Sequence, residues 1–211
     1  MTRGEVTGWP RELDGGGLDG WLPTGVCRDA VLEEYDGWFE RKTRGMKGSP
    51  FPLFLNVSGI PGAGKSTLAG EIAAGDPSLL YLSFDELMEG LSGYREDARG
   101  MGSAAAFGRW ERPARWLGYR ALREAVERRF SILFEHSNAT PSHVALYRCL
   151  KNRGYRVEIR FLEASVPEAI ERTRHRERWV PAEVVAERAA LLRELNESYK
   201  QIVDHFETFQ S

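Results

Sequence analysis

Cysteine is scarce in this chain of 211 residues, which holds two, Cys27 and Cys149. Two thiols so far apart match neither a zinc-ligand spacing nor the disulfide framework of a small secreted domain. They suit a reducing cytoplasm. Long hydrophobic runs are also missing: nothing approaches the roughly 18 apolar residues of a membrane-crossing helix. The opening stretch MTRGEVTGWPRELDGGG lacks the apolar segment of a signal peptide. Neither charge sign is in excess, since 29 Lys and Arg face 31 Asp and Glu for a net charge of −2. Proteins that follow a nucleic-acid backbone usually carry a strongly basic surface, so RNA is the less expected partner. His136 has no second histidine at ligand spacing, so no histidine metal site is expected. There is no internal repeat and no sign of a second domain, and the length allows one sizeable core.

Residues 1–25 are rich in glycine and turn formers and read as a flexible N-terminal arm. Residues 26–211 read as a single domain. Four apolar runs bounded by turn signals predict buried strands: LFLNVS (53–58), LLYLSF (79–84), FSILFE (130–135) and YRVEIRFLEA (155–164). Helical spacing places Val31, Tyr35, Trp38 and Phe39 on one face of a helix over 27–42. KSTLAGEIAAG, a short DELMEGL, RWLGYRALREAVERR and PSHVALYRCLKNRG predict further helices. VPEAIERTRHRER and VPAEVVAERAALLRELNESYKQIVDHF complete the series, the last running to Phe206. Ser92–Pro113 reads as irregular and polar, and so long a connection is often functional. Alternating strands and helices predict an α/β fold of three layers, with a mainly parallel sheet flanked by helices.

The segment GIPGAGKS, Gly59 to Ser66, fills every fixed position of G-x-x-x-x-G-K-[ST]. Glycines let backbone N–H groups turn inward, and the helix that follows adds the positive end of its dipole, so together they form an anion site. Gly62, Ala63, Gly64, Lys65, Ser66 and Thr67 are the expected phosphate cradle of a P-loop. Lys65 reaches the β- and γ-phosphates and Ser66 supplies a hydroxyl to Mg²⁺. The N-K-x-D guanine signature of GTPases is absent, which favours ATP. Asp85 directly follows the second strand, where a parallel sheet opens its ligand crevice. A carboxylate there either takes the proton of an attacking hydroxyl or caps the helix behind it. Glu135 ends the third strand, the place of a metal-holding acid, with an ordinary ion pair as the alternative. In HSNAT, which follows, His136, Ser137 and Asn138 suit substrate hydrogen bonds or a polar turn before Pro141. Arg172, Arg174, Arg176 and Arg178 cluster in ERTRHRERWVP. Arg172 and Arg176 share a helix face at i, i+4, a repulsion that polyphosphate would relieve. A solvated face paired with Glu168, Glu171 and Glu177 is the other reading.

Taken together, GIPGAGKSTLA, SFDEL, FEHSNAT and GYRVEIRFLEASVPEAIERTRHRERWVPAEVV resemble the zeta-toxin and polynucleotide-kinase-like P-loop kinases, over roughly Phe51 to Phe206. The resemblance implies an ATP- and Mg²⁺-dependent kinase with Asp85 as base, and with Arg172 and Arg176 in a lid near 172–181 that stabilises phosphate. It implies a hydroxyl acceptor on a small molecule, UDP-N-acetylglucosamine in zeta members, and an antitoxin protein as partner. One departure bears on the acceptor. Zeta members carry E-G-T after the third strand, whereas here Glu135 precedes HSNAT, closer to the D-T-N of polynucleotide and seryl-tRNA kinases. An RNA-end or aminoacyl-tRNA kinase therefore stays open, as does a nucleotide-binding regulatory module without catalysis. Within Ser92–Pro113, Arg95, Arg99, Arg109 and Trp110 are expected to hold the acceptor, with Tyr94, Phe107 and Trp110 available for stacking.

Overall fold

Each of the four apolar runs becomes a strand, and a fifth joins them. A computed structural model of the protein describes residues 9, 10, 13, 17–174 and 180–211. Its strands are β1 (Leu53–Ser58), β2 (Leu80–Ser83), β3 (Ile132–Glu135), β4 (Arg156–Glu163) and β5 (His205–Gln210). They form one sheet in the order β2-β3-β1-β4-β5, with every pairing parallel. The inner strands are sealed on both faces, with Phe54, Val57, Ile132, Leu133 and Phe134 all at 0% exposure. That is why they read as continuous apolar runs rather than alternating ones.

Helices cover the two faces. They are α1 (Arg28–Thr43), α2 (Lys65–Gly75), α3 (Phe84–Gly90), α4 (Ser92–Met101), α5 (Ser103–Glu127), α6 (Ser142–Asn152), α7 (Val166–Arg174) and α8 (Ala182–Lys200). Alternate residues of a strand face opposite ways, and the core divides accordingly. Phe54, Ile132 and Phe134 join Tyr35 of α1, Leu87 of α3, Trp110 and Leu117 of α5, and Leu146 of α6. Leu55, Val57 and Leu133 join Ala69 of α2, Ala169 of α7 and Leu192 of α8. The three-layer expectation is met.

Three local expectations change. Ser92–Pro113 is not irregular but helical, as α4 and the first half of α5. Helix α5 runs on through Pro113, although proline removes an N–H and crowds the preceding turn. Ala106, Trp110, Pro113, Ala114, Leu117 and Ala121 form one buried stripe at helical spacing, so tertiary burial on both sides of Pro113 outweighs the lost bond. The last helix ends at Lys200 rather than Phe206. The chain turns and Asp204 bridges into the sheet, its Oδ2 accepting the Val157 N–H at 2.8 Å, before β5 pairs with β4. Finally, the N-terminal segment docks on the domain at some of its described residues, while Gly17, Asp19, Gly20, Thr24 and Gly25 are exposed. Trp9, Leu13 and Leu18 are buried, and the Arg112 guanidinium sits 4.8 Å from the Trp21 ring centre.

Candidate active site

Strand β1 stops at Ser58, and the glycine loop then departs from ordinary backbone space. Gly59, Gly62 and Gly64 have φ of +147°, +88° and +83°. Packing demands two of them as well. A Cβ on Gly62 would lie 2.4 Å from the Ala169 carbonyl oxygen, and one on Gly59 would lie 2.7 Å from that of Leu162. The loop is thus pressed onto α7 and the end of β4, and only glycine lets it approach so closely. Helix α2 begins at Lys65 with left-handed Gly64 as its cap, leaving its first-turn N–H groups available to an anion. Gly62, Gly64, Lys65 and Ser66 line a cavity of about 730 Å³. Ala63 is buried instead, its N–H bonded to the Ile60 carbonyl at 3.2 Å, and Thr67 lies on the exposed side of the first turn. The Lys65 ammonium donates to the Ile60 carbonyl at 3.1 Å, which folds the side chain over its own loop.

The two residues expected at the metal meet. Ser66 Oγ donates to Glu135 Oε1 at 2.6 Å, across 69 residues of sequence. The parallel pairing of β1 with β3 brings them together, because both strands end at the same level. Glu135 is 9% exposed, and its second oxygen accepts the Tyr81 hydroxyl at 2.5 Å. Burial, then the Glu135 hydrogen bond and charge, push the Tyr81 hydroxyl far above its usual range, so it stays a donor. The Lys42 ammonium lies 5.5 Å from the Tyr81 ring centre and pairs with Glu86 at 2.5 Å. Tyr81 is absent from the expected site. Its only signal in the sequence is a hydroxyl-bearing ring inside an otherwise aliphatic strand.

Asp85 lines the same cavity from the first turn of α3. It is not that helix's cap. Ser83 holds the position, and its Oγ accepts the Glu86 N–H at 3.5 Å. Phe84 fixes the turn. Its ring packs edge-on to Tyr119 at 4.9 Å and lies where Gly118 has no side chain, so that a Cβ there would come within 2.1 Å of the ring.

The far wall is α5. Phe107, Glu111, Arg115 and Tyr119 line the cavity, with Arg115 and Glu111 paired at 2.6 Å. Among the aromatics expected to stack on an acceptor, only Phe107 reaches it. Tyr94 and Trp110 are core residues, and the Trp110 indole N–H donates to Asp97 Oδ2 at 2.7 Å. The three expected arginines serve structure: Arg109 pairs with Asp97, Arg95 donates to the Glu89 and Gly90 carbonyls, and Arg99 to the Arg95 carbonyl. Arg188 of α8 lines the cavity and was not foreseen. Of the arginines expected in a lid, Arg172 donates to the Gly62 carbonyl at 3.4 Å and to Ser211 Oγ at 2.5 Å. Arg174 pairs with Glu171 at 3.0 Å. Arg176 and Arg178 lie outside the described residues.

Behind the cavity floor runs a buried polar array. Tyr119 donates to His143 Nε2 at 2.9 Å, and His143 Nδ1 meets Asn138 Oδ1 at 2.6 Å. Tyr147 also donates to Asn138 Oδ1 at 2.6 Å, and the Tyr199 hydroxyl donates to the Asn138 carbonyl at 2.9 Å. Burial lowers the His143 pKa to about 3. Burial, followed by His143 and the cations Arg115, Arg188 and Lys65, keeps that of His136 well below its ordinary value. Both rings are neutral at neutral pH.

A model of the zeta toxin family matches residues 36–211, most of the chain. The chain belongs to the zeta toxin family. Membership makes it a P-loop kinase with an ATP site. A chain of the PezAT chromosomal toxin–antitoxin system of Streptococcus pneumoniae shares the fold, with a TM-score of 0.65 at 18% identity over 88% of this chain and 78% of that one. So does a chain of the AvrRxo1-ORF1:-ORF2 structure with ATP, with a TM-score of 0.58 at 14% identity over 95% of this chain and 63% of that one. No curated protein sequence matches. No helix among the described residues is long and apolar enough to cross a membrane.

Proposed function

We propose that this zeta-family kinase transfers the γ-phosphoryl group of ATP, with Mg²⁺, to a hydroxyl of a small molecule bound in the cavity. The observation that carries this reading is that the Ser66–Glu135 pair and Asp85 face one cavity from the ends of three adjacent strands. A hydroxyl and a single carboxylate suit Mg²⁺, which keeps several waters and binds substrate phosphates rather than an all-protein cage. Ser66 and Glu135 would hold the ion, and it would offset charge on the phosphates. The α2 N-terminus and Lys65 take the β- and γ-phosphates. Asp85 orients the acceptor hydroxyl and receives its proton as the new O–P bond forms and the bond to ADP breaks. Arg188 supplies a further cation facing the phosphates. Arg172, tied to the Gly62 carbonyl, is stationed beside the loop from which it and Arg176 would close over the transferring group.

A cavity of about 730 Å³ lies within the range of small-molecule sites, and the net charge of −2 offers little to a long polyanion. Family membership favours a sugar nucleotide such as UDP-N-acetylglucosamine. The HSN sequence after β3 favours a second reading, a kinase of 5′-hydroxyl RNA or aminoacyl-tRNA. A protein antitoxin is the proposed partner, supported by the toxin–antitoxin system of the PezAT relative. The test is transfer of labelled γ-phosphate, side by side, to UDP-N-acetylglucosamine, a panel of hydroxylated antibiotics and 5′-hydroxyl RNA. Labelling of a small molecule supports the proposal, and labelling of RNA alone replaces its acceptor. Labelling of none, with ATP still bound, identifies a regulatory module.

A further inference from the structure

We propose that His136 selects the acceptor: its ring is locked as the tautomer that presents Nε2–H to the cavity, where it donates to an uncharged oxygen, hydroxyl or carbonyl, of the acceptor molecule. This rests on the kinase reading above and names a residue of the acceptor site.

The tautomer follows from geometry. The backbone N–H of Asn138 donates to His136 Nδ1 at 3.0 Å. A backbone N–H only donates, so Nδ1 carries the lone pair and Nε2 the hydrogen. The ring cannot easily turn away from this bond. It stacks on Phe134 with centres 5.3 Å apart and planes at 4°, meets Phe84 edge-on at 5.5 Å, and lies 4.7 Å from His143. Nε2 has no protein partner among the described residues, and His136 lines the cavity.

Position identifies what the donor meets. β3 lies between β2 and β1 in the sheet. The residue after it therefore sits between the Asp85 turn and the P-loop, where acceptor and phosphate come together. The phosphates have Lys65 and the helix N-terminus. The rings packed against His136 are aromatic, while the nearby cations Arg115, Arg188 and Lys65 are suited to charged oxygens, and the single Nε2–H among the rings suits an uncharged one.

The array behind His136 is costly for a mere turn. Asn138 is fully buried with φ of +67°, and its Nδ2 has no hydrogen-bond partner among the described residues. Strained and unsatisfied groups of this kind concentrate at functional sites. Here Tyr147 and His143 both hold Asn138 Oδ1 and Tyr199 holds its carbonyl, and that fixes the N–H that sets the His136 tautomer.

Two variants separate donation into the cavity from packing. His136→Asn places an acceptor near Nδ1 and removes the Nε2 donor, whereas His136→Gln places a donor near Nε2. In the γ-phosphate assay, with the acceptor that the wild type labels, His136→Asn is expected to lower kcat/KM for the acceptor roughly tenfold or more. His136→Gln recovers most of that, and the loss falls on the KM for the acceptor rather than on the KM for ATP. Equal activity of His136→Asn and the wild type overturns the inference while leaving the kinase reading intact. Failure of the wild type to label any acceptor overturns both. Independently, ¹⁵N-histidine NMR of the full chain, assigned with the same variants, should show His136 protonated on Nε2, and protonation on Nδ1 overturns the inference.

Discussion

The proposed phosphate side of the cavity comes from one stretch of chain, Gly59–Ser66 and the helix that follows, whereas its proposed acceptor side is collected from three places. Asp85 comes from α3, Glu111, Arg115 and Tyr119 from α5, and His136 from the turn after β3. The first side works largely through backbone N–H groups, so its specification is a matter of glycines and spacing. The second works through side chains whose meeting depends on how α5 lies across the sheet. Local chemistry can be copied as a motif, while assembled chemistry shifts with every change in packing.

The sharpest way to separate the two sides is Asp85→Asn. It keeps the shape of the turn and, since Ser83 is the cap, leaves the helix start intact. Turnover should fall by about 10²- to 10⁴-fold while ATP affinity, measured by titration calorimetry, stays close to that of the wild type. Weak ATP binding with normal turnover would move Asp85 to the phosphate side.

Lys65→Ala breaks that side directly. Loss of the ammonium should cost on the order of 10²-fold in transfer, with circular dichroism and melting temperature little changed, because the side chain lines the cavity and folds over its own loop rather than packing in the core. Near-normal turnover would remove Lys65 from the site.

Gly118→Ala reaches the acceptor side from outside the cavity. The new methyl would meet the Phe84 ring at 2.1 Å, so the turn carrying Asp85 must shift. Overpacking of this kind costs about 1–3 kcal/mol, to be read by urea unfolding. Turnover should drop more than ATP binding. The same stability loss with unchanged turnover would uncouple Phe84 from Asp85.

The smallest effect concerns acid. Unfolded histidine protonates near its ordinary pKa of 6.5, but folded His143 resists until about 3. Between those values the unfolded state binds the extra proton, so stability falls as pH drops through that window, by about 1.4 kcal/mol per pH unit for one such group. Urea unfolding at pH 7 and pH 5 should show the loss, and His143→Gln should lessen it. An equal acid response in the variant would locate the sensitivity elsewhere.

The placement of the proposed phosphate side was legible in advance. Gly62, Gly64, Lys65 and Ser66 stand in the cavity as expected, and Glu135 meets Ser66, because strand ends in a parallel sheet come to one level. Other features were hidden for definite reasons. β5 is an edge strand with only Phe206 and Phe209 turned partly inward, and neither Gly nor Pro separates it from α8. The helix through Pro113 contradicts a sound local rule, since the stripe from Ala106 to Ala121 is buried only once α5 has docked. Arg188 looks like any polar residue on a long helix until α8 lies against the cavity.

The order of its residues alone determined that this chain makes a parallel sheet with an anion-binding loop after the first strand. Those features depend on neighbours a few residues apart: apolar runs, left-handed glycines, and a helix start behind them. Only the tertiary structure decided that Tyr81 buttresses Glu135, that Tyr119 of α5 meets His143 of α6, and that Asp85 of α3, Arg115 and His136 face one cavity. Hydrogen bonds of about 3 Å between such distant groups exist only after the strands, α3 and α5 have packed, and no short-range pattern in the sequence encodes that distance.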